Sequence, residues 1–135
     1  MTVRRVLFLC TGNSCRSQMA EAIVNARHPD WRAYSGGIRP IGVVHPMAIR
    51  VLREIGIEHR GESKSAEEFR DAVFDLVVTV CDEANEVCPV WPGAGRKVHE
   101  TFLDPASATG SDDERLEVFR QVRDEMLRRI PGLLG

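Results

Sequence analysis

Residues 6–17 read Val6-Leu7-Phe8-Leu9-Cys10-Thr11-Gly12-Asn13-Ser14-Cys15-Arg16-Ser17, and they set the pattern for the whole chain. Four consecutive apolar residues predict a short strand buried on both faces, the habit of a parallel sheet. The run stops at a cysteine and a polar turn with Gly12 and Asn13. From Cys15 to about residue 27, Met19, Ala20, Ile23 and Val24 then recur at helical spacing. A strand that passes through a tight polar turn into a helix is the first half of a βαβ unit.

The same alternation continues outward. After the break at Pro29-Asp30, residues 31–35 predict a weak strand ending at Gly36-Gly37. His45-Pro46 opens a second helix with Ala48, Val51, Leu52 and Ile55 as its apolar stripe and Gly56 at its stop. Ser65-x-x-Glu68 predicts a capping box for a short helix near 66–72. Residues 74–80 are the strongest strand and again end at a cysteine, Cys81; residues 96–100 form a weaker one. Ser111-x-x-Glu114 caps the last helix, whose stripe of Leu116, Phe119, Val122, Met126 and Ile130 runs to a break at Pro131. The expected architecture is one α/β domain over residues 1–135: a mostly parallel sheet of about four strands with helices on both faces.

Composition bounds the function. The chain has 135 residues, 43% hydrophobic and 28% charged, with a net charge of −2, which excludes disordered, collagen-like and multi-span membrane classes. No long block of like charge marks a nucleic-acid arm or a membrane-surface patch. Arg4-Arg5 followed by four apolar residues is too short for a signal peptide, whose apolar core needs about 7–15 residues. Nothing approaches the roughly 20 apolar residues of a spanning helix. The expected setting is the cytoplasm, with thiols kept reduced, and the expected state is a monomer.

Against that background the four cysteines, Cys10, Cys15, Cys81 and Cys88, ask for a chemical reason. In α/β folds ligands bind beyond the carboxyl ends of the strands, where Cys10 and Cys81 both fall. The loop Thr11-Gly12-Asn13-Ser14-Cys15-Arg16-Ser17 has the length to curl its N–H groups around a tetrahedral oxyanion at a helix N-terminus. Arg16 completes the cradle with a bidentate fork. The same field favours Cys10 as a thiolate nucleophile, with Ser17 adding a hydroxyl hydrogen bond. A strand-end cysteine is often only a small apolar residue, and Cys15 is expected to be one. For Cys10 the oxyanion-binding groups around it favour catalysis.

The pattern Cys10-x5-Arg16-Ser17 at the end of the first strand resembles the low-molecular-weight protein tyrosine phosphatases. The longer string Cys10-Thr-Gly-Asn-Ser-Cys-Arg-Ser-Gln-Met-Ala-Glu21 is more similar to the thioredoxin-coupled arsenate reductases built on that fold. So are Tyr34-Ser35, Cys81, Cys88-Pro89 and Asp104-Pro105. An oxyanion loop cannot tell arsenate from phosphate or sulfate, so the later thiols decide: a reductase needs thiols that end as a disulfide. The resemblance implies that Cys10 attacks arsenate while Asp104 protonates the departing oxygen. Cys81 would then form a transient Cys10–Cys81 disulfide, Cys88 a Cys81–Cys88 disulfide, and thioredoxin would reduce the latter, with no bound cofactor.

Two cysteines seven residues apart on a helix stand about 10.5 Å apart along its axis. A disulfide spans a Cα separation of only about 4.4–6.8 Å, so residues 81–95 are expected to refold on oxidation. Ala106-Ser107-Ala108 follow Asp104 where the phosphatases carry aromatic residues, so aryl phosphate hydrolysis is the alternative and at most a side activity. Some members of the family bind potassium at positions matching Asn13, Glu21 and Ser35. Ser65 stands here in place of their fourth ligand, a carboxylate, and weak or absent potassium activation is expected. No metal site is otherwise expected.

Overall fold

The computed structural model describes residues 2–82, 84, 91 and 93–135. Cys88, and with it most of the stretch expected to refold on oxidation, lies outside the described residues. Four strands, β1 (Arg4–Cys10), β2 (Trp31–Gly37), β3 (Phe74–Thr79) and β4 (Ala94–His99), pair in the order β2-β1-β3-β4. Every pairing is parallel, as expected of strands separated by crossovers. Three helices are described in full, α1 (Arg16–Arg27), α2 (Pro46–Arg53) and α3 (Asp112–Leu134), with 3₁₀ turns at Ala66–Phe69 and Pro105–Ser107.

Strand β1 lies between β2 and β3, hydrogen-bonded along both edges, and helix α1 packs on it. Val6, Leu7, Phe8 and Leu9 are accordingly all fully buried, as are Leu76, Val77 and Val78 of β3. β4 is paired on one side, and its Arg96 and Lys97 reach the surface, which explains its faint apolar signal. Helix α1 packs on β1 and β2, and the three helices pack on one another. Helix α3 turns Leu116, Phe119, Val122, Met126, Ile130 and Leu134 into the core. Each such side chain contributes about 1.5–3 kcal/mol of burial free energy. Its start carries the expected capping box between Ser111 and Glu114. Arg123 of α3 donates to the Val51 carbonyl at 2.9 Å and to Glu54 Oε1 at 3.0 Å, while Arg120 grips Glu54 Oε2 at 2.8 Å. The two guanidiniums, Arg120 first, pull the Glu54 carboxyl down to about 2.

Two boundaries differ from the sequence reading. Helix α3 does not break at Pro131 but continues to Leu134. Only the last turn forfeits a hydrogen bond there. That turn is anchored by the burial of Leu134 and by Arg96 donating to the Leu133 carbonyl at 2.7 Å. The element after Ser65 is a 3₁₀ turn over Ala66–Phe69, not an α-helix over 66–72. Ser65 Oγ accepts from the Glu67 N–H at 3.1 Å, one residue short of a capping box. No helix among the described residues is long and apolar enough to cross a membrane.

Candidate active site

Parallel register brings the two strand-end cysteines together. Cys10 lies opposite Gly37 of β2, and Leu9 lies opposite Thr79 of β3. The Val80 N–H then donates to the Leu9 carbonyl at 2.9 Å, carrying the pairing one residue further. Cys10 and Cys81 thus leave neighbouring strands side by side, each 3% exposed, with Thr11 Oγ1 at 3.3 Å from Cys81 Sγ. Cys10, Cys15 and Cys81 are free thiols.

The loop after Cys10 folds back over the sulfur. Asn13 takes the left-handed conformation, φ 49°, which asparagine tolerates better than most residues. Its N–H turns to Cys10 Sγ at 3.2 Å, and Ser17 Oγ approaches the same sulfur at 2.8 Å. Asn13 and Ser17 are fully buried, so they act on the sulfur from behind the loop rather than lining the cleft. The Asn13 side chain donates to Ser17 Oγ at 2.8 Å and accepts from the Lys64 N–H at 2.9 Å. Gly12 O accepts from Ser63 Oγ at 3.0 Å and from the Ile41 N–H at 3.1 Å. The Ser14 hydroxyl donates to the Val43 carbonyl at 2.8 Å. A Cβ on Gly37 would stand 2.8 Å from the Thr11 carbonyl oxygen and 3.0 Å from Asn13 N and Cβ, so the close approach of β2 to this loop requires glycine.

In front of the loop lies a cleft of about 220 Å³. Cys10, Thr11, Gly12, Ser14, Cys15 and Arg16 form its floor, and Ile41, His45, Asp104 and Ala106 form its rim. Cys15, at the N-cap of α1, makes no side-chain capping bond, which leaves the N-terminal N–H groups of the helix to an anion. Arg16 stands 3.7 Å from Asp104 and donates to the Phe102 carbonyl at 3.4 Å. Asp104 itself accepts from the Ala106 N–H at 3.0 Å and from the Ser107 hydroxyl at 3.2 Å. A nucleophile, an anion cradle, a guanidinium and a carboxyl group thus share one small opening.

The two cleft thiols are not equivalent. Burial, then the charges of Asp104 and Cys10, push the Cys15 thiol up to about 12, so it stays protonated and packs. His45 caps α2 by accepting the Met47 N–H on Nδ1 at 3.1 Å. Burial, followed by Arg115, lowers its proton affinity, and its ring leans on Phe119 at 4.8 Å between centroids. The sequence shows His45 only as a helix opener, and its place at the rim depends on Phe119, far along the chain.

The positions matched to potassium are gathered but already engaged. Ser35 donates to Glu21 Oε1 at 3.1 Å, Lys64 Nζ lies 3.9 Å from the same oxygen, and Asn13 Oδ1 accepts from two donors. A protein ammonium facing the carboxylate and acceptors spent on internal donors do not fit a bound cation. Burial raises the Glu21 carboxyl above its usual range, with Lys64 and Ser35 opposing. Among the described residues no other cluster of His, Cys, Asp or Glu has the makings of a metal site.

Residues 5–135 match the model of the low molecular weight phosphotyrosine protein phosphatase family. An arsenate reductase of Halalkalibacterium halodurans is 46% identical over 134 residues, covering 96% of this chain and 94% of that protein. The crystal structure of an arsenate reductase from Archaeoglobus fulgidus superimposes with a TM-score of 0.79 at 32% identity, over 96% of this chain and 98% of that one. A second arsenate reductase, solved in a phosphate-binding state, gives a TM-score of 0.78 at 32% identity, covering 96% and 95% of the two chains.

Proposed function

The chain belongs to the low molecular weight phosphotyrosine protein phosphatase family, and on that premise we propose that it is an arsenate reductase working through a thiol–disulfide relay. The observation that carries the reading is the placement of two free thiols, Cys10 and Cys81, at the ends of adjacent parallel strands beside one anion cradle. Hydrolysis needs only the first of them. Full-length relatives named arsenate reductase support the substrate, and the phosphate-bound relative supports a tetrahedral oxyanion in the cradle.

The Cys10 thiolate attacks arsenic, Asp104 delivers a proton to the departing oxygen, and water leaves. Helix α1 and Arg16 hold the remaining oxygens. Cys81 then attacks Cys10 Sγ. The sulfur–arsenic bond breaks with its electron pair going to arsenic, which leaves as arsenite, and a Cys10–Cys81 disulfide remains. Two thiols have been oxidised and arsenic has gained two electrons. Cys88 displaces Cys10 from that disulfide, and a thioredoxin dithiol reduces Cys81–Cys88. A reducing cytoplasm, where thioredoxin works, is the setting this cycle requires. Ile41 and Ala106 at the rim offer no aromatic clamp for a phosphotyrosine ring, so aryl phosphate hydrolysis is a slow side activity of the same cradle.

Arsenate-dependent NADPH oxidation, coupled through thioredoxin and thioredoxin reductase and run beside aryl phosphate hydrolysis, tests the reading. Cys88→Ser should allow one turnover and trap Cys10–Cys81. Undiminished steady-state reduction by that variant overturns the three-thiol relay.

A further inference from the structure

Just past Cys81 the chain is tied to the end of β4 by side chains that the relay does not use. Strands β3 and β4 finish in register, Thr79 opposite His99. The Glu100 N–H donates to the Thr79 carbonyl at 2.9 Å and the Phe102 N–H to the Val80 carbonyl at 3.3 Å, so the two chains keep company up to Cys81. The next residue, Asp82, turns its side chain back toward β4. Its Oδ1 lies 3.0 Å from His99 Nε2 and 3.3 Å from Thr101 Oγ1. On the far side of the ring, His99 Nδ1 lies 2.8 Å from Thr79 Oγ1 and 3.1 Å from the Thr79 carbonyl oxygen.

A carboxylate only accepts, so His99 carries a proton on Nε2 and donates it to Asp82, and Thr101 donates its hydroxyl to the same oxygen. At Nδ1 the neutral ring accepts from the Thr79 hydroxyl, and a charged ring donates to the Thr79 carbonyl. In either case the imidazole is held at both ends. It is a strut between Thr79, which is fully buried, and the first residue beyond Cys81. The anchor is itself fixed: Arg129 of α3 donates to the Thr101 carbonyl at 3.1 Å and to Glu100 Oε1 at 3.0 Å, on either side of the bend that follows His99.

We propose that Asp82 and His99 are positioning residues for Cys81, holding the chain on its far side so that the thiol stays turned toward Cys10 when the two sulfurs join. The inference rests on the reading of Cys81 as the second thiol of the relay. Val80, before it, is pinned by backbone bonds to Leu9 and Phe102. Asp82, after it, is pinned through its side chain to β4. Between these ties Cys81 Sγ rests 3.3 Å from Thr11 Oγ1, on the Cys10 side. Freedom surrendered in the folded protein is not surrendered again during the reaction, which speeds an intramolecular displacement.

In that step Cys81 attacks as the thiolate, its proton having passed to solvent. The Cys81–Cys10 sulfur bond forms, and the bond from Cys10 to arsenic breaks with its electron pair going to arsenic. Two thiols are oxidised and arsenic gains two electrons. Asp82 and His99 exchange neither protons nor electrons with the reacting atoms. The Asp82 side chain is 76% exposed and that of His99 30%, so the pair contributes on the modest scale of an exposed ion pair, applied where orientation counts.

The test uses reduced, full-length protein carrying Cys88→Ser and the small oxidant 2,2′-dithiodipyridine, with thiopyridone release followed by stopped-flow absorbance. Cys10, on the floor of the cleft, is captured first and releases one thiopyridone at a rate set by reagent concentration. Cys81 then displaces the second thiopyridone from Cys10 at a rate independent of reagent, forming the Cys10–Cys81 disulfide. Asp82→Ala and His99→Leu should each slow the second phase about 3- to 5-fold and leave the first within about twofold. The double variant should be no slower than the slower single one, since both break the same tie. His99→Gln, which keeps an N–H donor, and Asp82→Asn, which keeps an acceptor oxygen, should each recover part of the loss. A second phase unchanged in both Asp82→Ala and His99→Leu, full additivity in the double variant, or equal slowing of both phases overturns the proposal. Should the variants fail to fold, ¹⁵N NMR of the histidine rings in the unaltered protein decides the matter: a His99 Nε2 without a proton overturns it. Arsenate turnover is not read in any arm. A protein that shows the split between phases without reducing arsenate keeps the inference and loses the proposed function. One that reduces arsenate with an unchanged second phase in the variants loses the inference alone.

Discussion

Replacing Gly37 by alanine should damage the oxyanion loop more than the fold. The new Cβ would meet the Thr11 carbonyl oxygen at 2.8 Å and Asn13 N and Cβ at 3.0 Å, where ordinary contact begins at 3.4 Å. The obstacles are backbone and Cβ atoms of the loop, not the tip of a flexible side chain, so the loop must shift by about half an ångström. Overpacking of this kind costs about 1–3 kcal/mol, or a melting point lower by about 4–12 °C in a chain of this size. A shift of 1 Å at reacting groups costs about 100-fold in rate, so half of that should lower kcat/KM about 10-fold.

Gly36→Ala is the matched control. Its Cβ would strike Ala66 Cα at 2.8 Å, an overlap of the same size directed at the 3₁₀ turn and away from the loop. Calorimetry and the coupled arsenate assay on both variants should show similar destabilisation, with the tenfold kinetic loss confined to Gly37→Ala. Equal kinetic losses, or a Gly37→Ala protein with unaltered kcat/KM, would refute the reasoning that this glycine serves the loop.

Three further outcomes follow from the geometry. Cys15→Ala should retain arsenate turnover to within about threefold, and Cys15 in the parent protein should resist alkylation below pH 10, because burial pushes its thiol up to about 12; rapid labelling of Cys15 at pH 8 contradicts this. The Glu54 carboxyl is depressed from 4.5 to about 2, so its contribution is fully present above pH 4.5 and is lost as the pH falls through 2. Melting curves of the parent and Glu54→Gln should therefore differ by a few degrees at pH 6 and converge near pH 2, the half-exposed site limiting the effect to about 1 kcal/mol. Replacing sodium by potassium at constant ionic strength, without sulfate, should leave turnover within about twofold, since the Lys64 ammonium already faces Glu21; strong stimulation argues for a cation site.

The parts of the molecule legible in the sequence are those whose causes are local. The apolar runs ending at Cys10 and Cys81 announce two buried strands, and Ser111 with Glu114 announces the start of α3, because each signal and its consequence lie within a few residues. Pro131 misleads, since its local penalty is offset by Leu134 and by Arg96 from β4, 37 positions away from the carbonyl it holds. The front of the candidate site is readable in the loop itself. Its back is not: His59 reaches Gln18 across 41 positions, Lys64 reaches Asn13 across 51, and no periodicity encodes such pairs. His45 is hidden for the same reason, its capping role being local and its place at the rim set by α3.

That long reach from Lys64 back to Asn13 also orders events during synthesis. Domains assemble as the chain emerges, N-terminal parts first. Cys10 leaves the ribosome early, on a segment able to form little more than a strand and a helix. The N–H that pins the Asn13 side chain arrives 51 residues later, and the strand that brings Cys81 alongside arrives later still. Until then the Asn13 side-chain oxygen lacks the main-chain donor that the later segment brings to it. Cys10 and Cys81 come side by side only when β3 has closed against β1. The juxtaposition of the two strand-end thiols is therefore among the later features of the fold to form, although the first of them is made near the start of synthesis.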